Sequence, residues 1–400
     1  MENTKGIYKL KGKVQQYAWG GFKFLPEFLG IDNKDHVPFA EYWMGAHASA
    51  SSDVVLDKDN EVMLKEMIEE NAEDCIGKEV NDRFKDLPYL FKILDVNEML
   101  SIQVHPTKAE AEKGFDREEA AGIPINAAKR NYKDRNHKPE VMVALSNFWL
   151  LHGFKLEVPL KEVLQQVPEF NFLLPVFNET GYYGLYKTVM ELPQQNVDEI
   201  LLPLVKRVMA VKQPISKSDP AFWVNKLFNG FEPHANIDRG IFSIYFFNIV
   251  EVHPGEAVFQ GAGVAHAYLQ GQNVELMANS DNVLRGGLTP KHIDVPELLK
   301  HTLFEGIKPI VLKGIPTAPG EEYYDCPVDD FGISAIRLQT GQTYKGKSKS
   351  AEIFVVVEGE ATINQNVVKV GKGECFIVFA GRSFLMTATA PCLVFKAYVP

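Results

Sequence analysis

Apolar and polar positions along this chain change their period twice. Between residues 1 and 150, strand-like runs alternate with a few helices. Leu64, Met67, Ile68, Ala72, Cys75 and Ile76 fall at helical spacing, which predicts one helix over residues 61–76. Thr107-Lys-Ala-Glu110 has the form of a capping box opening another. Residues 155–235 read as mainly helical. There Val197, Ile200, Leu201, Leu204, Val205 and Val208 make an apolar stripe, with Asn196 and Glu199 as a cap pair. Pro203 is expected to kink this helix or mark its start. From Ile241 the pattern turns to strand, first over residues 241–253 and then in short pieces separated by Gly255, Gly261, Gly263 and Gly271. The tail from Phe331 is almost pure β. Residues 351–357, 361–363, 367–370 and 375–379 are predicted as short strands at hairpin spacing, a texture that suggests a jelly-roll barrel.

Composition narrows the class. With 400 residues, 46% of them apolar, two or three packed domains are expected. No apolar run reaches the roughly 18 residues that span a bilayer, and the first residues carry no apolar leader, so a cytoplasmic protein with no membrane partner is the expectation. Cys75, Cys326, Cys375 and Cys392 form no CxxC pair, which excludes a thiolate metal cage; a metal would be held by His, Glu, Asp or Gln. A formal net charge of −10 argues against nucleic acid as a partner. A small anionic substrate needs only two or three local cations.

Four stretches carry chemistry. In Leu100-Ser-Ile-Gln-Val-His-Pro106, strand alternation puts Ser101, Gln103 and His105 on one face and Ile102 and Val104 on the other. Such a polar face could line a barrel interior holding a metal, although an amphipathic edge strand has the same pattern. Asn136-His-Lys-Pro-Glu140 packs His137, Lys138 and Glu140 together and leads into the apolar run 141–145, so Glu140 stands at the mouth of a buried strand. In Gly261-Ala-Gly-Val-Ala-His-Ala-Tyr268, small neighbours leave room around His266, as a ligand site or an ordinary core histidine would need. The polar stretch 275–291 contains Glu275, then Arg285 beside Gly286 and Gly287, then Lys291; Arg285 could reach a phosphate or oxyanion unobstructed. Two imidazoles, a carboxylate and an amide oxygen from three of these segments suit zinc, with a position left for water or substrate.

These stretches resemble, closely and in order, the type I phosphomannose isomerases. So do Gln16-Tyr-Ala-Trp-Gly20, Ala40-Glu-Tyr-Trp-Met-Gly-Ala-His47 and Leu87-Pro-Tyr-Leu-Phe-Lys92, and residues 279–291 look like the family's signature. The resemblance covers nearly the whole chain. It implies one zinc ion per chain held by Gln103, His105, Glu140 and His266. It also implies a fold that is mainly β with a helical insertion: two cupin (jelly-roll) barrels plus an α-helical domain. Residues 1–154 and 239–310 would form the catalytic cupin, 155–238 the helical domain, and 311–400 a cupin-like β domain without metal. Two departures stand out. Ala48-Ser-Ala-Ser-Ser52 follows His47 where family members often carry proline and basic residues, and no histidine follows His301.

The implied reaction interconverts mannose 6-phosphate and fructose 6-phosphate by moving a hydrogen between C1 and C2 through an enediol. Zinc would act as Lewis acid and Arg285 would add charge at the developing oxyanion. Lys92, Lys138 and Lys291 are candidates for phosphate capture or proton work, Glu275 and His137 for ring opening or the base, and Ser101 for a substrate contact. Two other readings fit the residues less well. An iron dioxygenase on a cupin fold would not need the cationic set Lys92, Lys138, Arg285 and Lys291, and a non-catalytic sugar-phosphate-binding homologue would not need all four ligands. The expected partner is a small sugar phosphate alone, with a monomer as the default assembly.

Overall fold

The computed structural model describes residues 6–365 and 367–400. Residues 1–5, where the expectation of no apolar leader falls, lie outside the described residues. Among the described residues the strands assemble into two eleven-stranded antiparallel sheets that follow open paths, and helices cover part of the first. The chain is thus mainly β, and among the described residues no helix is long and apolar enough to cross a membrane.

The first sheet is organised by one long strand, His266–Ala278. Its second half pairs with Tyr89–Val96 on one side and Glu140–Ala144 on the other. Its first half pairs with Phe148–Phe154 and meets Ile102–Val104 at His266. Gly271, at φ 130°, lies between the two halves; a Cβ there would come within 2.7 Å of the Phe148 ring, so only glycine fits. In the second sheet, the N-terminal strands Ile7–Lys11, Asp53–Asp57 and Asn60–Met63 continue a path that starts at Ile315–Ala318, so the two ends of the chain share one sheet.

Three layers of apolar side chains hold these parts. Met44, Phe91, Val141 and Leu276 of the first sheet pack against Ile353, Val355 and Phe395 of the second. Helices Glu157–Gln166, Gln194–Met209 and Pro220–Phe228 bury Leu160, Leu164, Leu201 and Trp223 against Ile102, Val104, Leu151 and Leu284. Because strand side chains alternate, packing Ile102 and Val104 against the helices turns Gln103 to the opposite face. On that opposite face Leu94, Met142, Leu150 and Tyr268 form a third cluster.

Several local expectations change. Residues 61–76 are not one helix: Asn60–Met63 is a strand of a hairpin, and helices Leu64–Glu70 and Ala72–Ile76 are separated by Asn71, whose backbone is non-helical. Asparagine favours such breaks because its side chain competes for local backbone groups. Residues 241–253 begin as the helix Gly240–Phe246, buried on every side, and become strand only at Phe247. A run this rich in apolar residues gives periodicity little to distinguish. The helix Gln194–Met209 starts directly after Pro193 and continues through Pro203, so neither Asn196 nor Pro203 marks its start. Residues 351–363 are a single strand, Glu352–Ile363, whose register shifts around Gly359. The expected cap holds: Thr107 Oγ1 accepts from the Glu110 amide at 3.4 Å.

Candidate functional site

Strand register brings the dispersed polar residues together. His266 faces Gln103 across one pair of strands, and Gln103 faces Arg285 across the next. Further along, Glu275 faces Lys92, which in turn faces Trp43. His105 follows the Ile102–Val104 strand and Glu140 opens its own strand. Gln103, Glu140, Glu275, Lys92 and Arg285 border a cavity of about 830 Å³, which Ser101, Lys138 and Lys291 also line, with Trp19, Glu41 and Tyr268 as further walls.

At its floor, the Glu140 carboxylate lies 3.5 Å from His105 Nε2, 3.2 Å from His266 Nε2 and 3.1 Å from Lys138 Nζ. All of these groups are buried. Each imidazole is fixed by its other nitrogen, His105 Nδ1 on the Asn282 carbonyl at 2.8 Å and His266 Nδ1 on the Val264 carbonyl at 2.9 Å. With both Nδ1–H groups donating to carbonyls, the two Nε2 lone pairs point at the carboxylate. His105 Nε2, His266 Nε2 and Glu140 Oε2 are buried with no hydrogen-bond partner. Three acceptors converging without a donor repel one another unless a cation lies between them, and imidazoles held this way by carbonyls are usual for a metal site. Among the described residues this is the one His/Cys/Asp/Glu group placed to hold a metal. Burial holds the His105 pKa well below its usual value, in the neutral ligand form. Burial would raise Glu140, but the Lys138 ammonium beside it overcomes this and keeps the carboxyl well below its usual range.

A second polar group stands beside it. Lys92 Nζ donates to Glu275 at 3.1 Å, lies 3.5 Å from Glu41, and sits 5.1 Å from the centre of the Trp43 ring. Tyr268 donates to the other Glu275 oxygen at 2.7 Å. Burial raises the Glu275 pKa, and Lys92 only partly opposes it. Burial works against the Lys92 charge, but Glu41 and Glu275 reverse the effect and hold its pKa above the ordinary lysine value. Lys92 is therefore neutralised by its neighbours, unlike a free phosphate anchor. Lys291 is exposed at the rim.

Two sequence readings need correction. His137 is not brought to this cavity: its Nε2 lies 3.0 Å from both Asp330 oxygens, and it lines a separate cavity of about 780 Å³. Along this segment His137 and Pro139 line the second cavity whereas Lys138 and Glu140 line the first. The two glycines after Arg285 do not serve to clear its path. A Cβ at Gly286 would come 2.8 Å from the Tyr186 hydroxyl, and one at Gly287 2.5 Å from the Gly240 Cα, so both permit close packing on the helices. Residues 48–51 line a different cavity from the one that Gln103, Glu140 and Glu275 line. Glu41, Trp43, Gln260, Tyr268 and His152 were not singled out by sequence. Glu41 and Trp43 alternate along the Ala40–His47 stretch as Gln103 and His105 do in theirs, which is the available signal; His152, cross-strand from His266, lies in an apolar run that offers none.

Residues 7–157 match the family model described as phosphomannose isomerase type I, catalytic domain. Over 366 residues the chain is 39% identical to the mannose-6-phosphate isomerase of Salmonella typhimurium, covering 90% of this chain and 91% of that one. It is 33% identical to the mannose-6-phosphate isomerase of Homo sapiens, covering 98% of each. A crystal structure of a phosphomannose isomerase mutant from Salmonella typhimurium superposes with a TM-score of 0.89 at 35% identity, covering 98% of this chain and 99% of that one. A zinc-bound structure of mannose 6-phosphate isomerase gives 0.87 at 36%, with the same coverage.

Proposed function

The chain belongs to the type I phosphomannose isomerase family, and from that premise we propose that it interconverts mannose 6-phosphate and fructose 6-phosphate with one zinc ion held by Gln103, His105, Glu140 and His266. The observation that carries this ligand set is the convergence of three buried, unpartnered acceptor atoms, His105 Nε2, His266 Nε2 and Glu140 Oε2, on one point beside the cavity. Gln103 completes the set as the cross-strand neighbour of His266. Zinc, when bound there, supplies Lewis-acid polarisation of the sugar carbonyl.

The remaining groups divide by charge state. Arg285 keeps its positive charge although burial lowers its pKa, and its place in register with Gln103 suits it to the developing oxyanion. Lys291, exposed at the mouth, suits the phosphate. Lys92 serves Glu275 instead, holding its carboxylate against Tyr268 for proton work between C1 and C2; a carboxyl raised by burial moves toward the range useful to a general base. Lys138 neutralises Glu140 and reaches the same floor. Ser101 adds a hydroxyl to the wall. The dioxygenase reading accounts for none of the cations, and a binding-only protein leaves the convergent acceptors unexplained.

The same reading assigns 1–154 and 239–310 to a catalytic cupin, 155–238 to a helical domain and 311–400 to a cupin-like domain without metal. The pairing of Ile7–Lys11 with Cys375–Val378 adds an N-terminal strand to that last unit. The test is a coupled assay of fructose 6-phosphate conversion with metal analysis. Activity abolished by chelator and restored by zinc, at one zinc per chain that His266→Ala removes, is the expected result. Full activity after metal removal, or two tight zincs per chain, would overturn the reading.

A further inference from the structure

The second sheet has its own buried ionic cluster, remote in sequence from every residue assigned above. Glu321 accepts from Ser334 Oγ at 2.7 Å and from the Tyr344 hydroxyl at 3.0 Å, and pairs with Lys396 Nζ at 2.6 Å. Lys396 also donates to the Tyr344 hydroxyl at 3.0 Å and lies 4.9 Å from the centre of the Tyr398 ring. Register explains the grouping, since Tyr323, Ser334, Lys396 and Phe354 form one row across four strands. Two residues before Phe354, Glu352 stands on the same face. Glu321, Tyr323, Glu352, Lys396 and Tyr398 border a cavity of about 410 Å³ whose mouth carries the exposed Lys347 and Lys349.

Packing gives no account of this cluster. The same face is otherwise apolar, with Phe354, Phe376 and Val394 buried together. A buried lysine–carboxylate pair in such a place is often no more stable than apolar side chains of equal volume. The grouping also repeats the first site. There Lys92 fixes Glu275, Tyr268 caps the same carboxylate and Glu41 stands second. Here Lys396 fixes Glu321, Tyr344 caps it, and Glu352 stands second.

We propose that this cavity is a second binding site, for a small phosphorylated polyol. Ligand hydroxyls donate to Glu352 and Glu321, the carbon face lies against Tyr398 and Tyr323, and the phosphate is held by Lys347 and Lys349. Among the described residues no carboxylate pairs with either rim lysine, so both are free for an anion. The volume falls within the range of about 300–1,000 Å³ common for small-molecule sites. Burial pushes the Glu352 carboxyl up to about 7, so near neutrality it both accepts from and donates to hydroxyls. The ligand class rests in part on the reading of the first cavity.

Calorimetric titration of the zinc-loaded full chain with sorbitol 6-phosphate tests this, because a polyol phosphate without a carbonyl cannot be turned over. Two sites per chain are expected. The double variant Lys347→Ala/Lys349→Ala and the single variant Glu352→Gln should each weaken one site by about tenfold or more while isomerase kcat and KM stay unchanged. Both rim lysines are exposed, so the double variant remains decisive should Glu352→Gln fail to fold. A single site that only Arg285→Ala weakens overturns the second site and leaves the isomerase reading intact. A single site lost in the lysine variant supports the second site and counts against the first cavity as the sugar-phosphate site. Two sites that neither rim variant affects would overturn the proposal, as would no binding at all.

Discussion

Replacing Lys92 with methionine keeps the stem of the side chain and removes one buried charge. At 3.1 Å from Glu275 and 3.5 Å from Glu41, each attraction is worth roughly 5 kcal/mol at an effective dielectric near 20. Desolvating the three ions takes back much of that gain, but the variant leaves two carboxylates facing each other in a buried site. Breaking a buried pair in this way costs about 3–5 kcal/mol. With an unfolding entropy near 2.1 cal/mol/K per residue, a chain of 400 residues unfolding as one unit should lose about 4–6 °C in melting temperature. The pH dependence fixes the cause. Burial already raises the Glu275 pKa, and losing Lys92 raises it further. A carboxyl with a raised folded pKa contributes stability below its unfolded value, and that contribution is lost as pH rises through the folded value. The variant should therefore melt close to the wild type near pH 5 and furthest below it at pH 8, and adding Glu275→Gln should recover part of the loss. Differential scanning calorimetry of the zinc-loaded proteins measures all three. A variant melting within about 1 °C of wild type at pH 8, or a deficit that grows toward acid, would refute the picture of Lys92 as the cation that holds Glu275 ionised.

Two further outcomes are expected. Arg285→Ala should keep its zinc and fold while kcat falls about 10²–10³-fold, as for loss of one preorganised charge at an oxyanion; steady-state kinetics with metal analysis checks this, and a loss confined to KM would reassign Arg285 to uniform substrate binding. Glu352 titrates near 7 in the folded chain because burial raises it from the ordinary carboxyl value, so the stability it contributes is present below about 4.5 and lost as pH rises toward 7. Glu352→Gln should remove that slope and melt above the wild type at pH 8 by the equivalent of about 3 kcal/mol, with no gain at pH 4.5.

Much of the fold was legible wherever one face of an element is buried and the other wet. The stripe Val197–Val208 named its helix, and its interior proline did not prevent it, because the helix is held by Leu201, Leu204 and Val205 in the shared core. Legibility failed where burial is all round. Residues 240–246 are a helix with every residue buried, flanked by a strand of similar composition, and only the tertiary context separates them. It also failed for sheet membership. Nothing in the sequence of Ile7–Lys11 says that it pairs with residues 375–378, because a pairing across most of the chain leaves no local mark.

The site divides along the same line. Each proposed ligand was legible as a residue type in a local pattern, but what brings them together is register, and register is set by the whole sheet. A shift of one position in His266–Ala278 against its neighbours would turn His266 away from Gln103 and Glu275 away from Lys92 at once. The register is secured by the alternate residues of the same strand, Ala267 and Leu269 against the helical layer and Val274 and Leu276 against the second sheet. The apolar residues of the strand therefore position His266 and Glu275. A core substitution such as Leu276→Ala acts on the site through the position of Glu275, although its side chain points away from the cavity. His137 was misplaced from sequence for a related reason: adjacency to Lys138 and Glu140 suggested a common site, whereas the extended chain before the strand Glu140–Ala144 sends neighbouring side chains apart, His137 to Asp330 and Lys138 to Glu140.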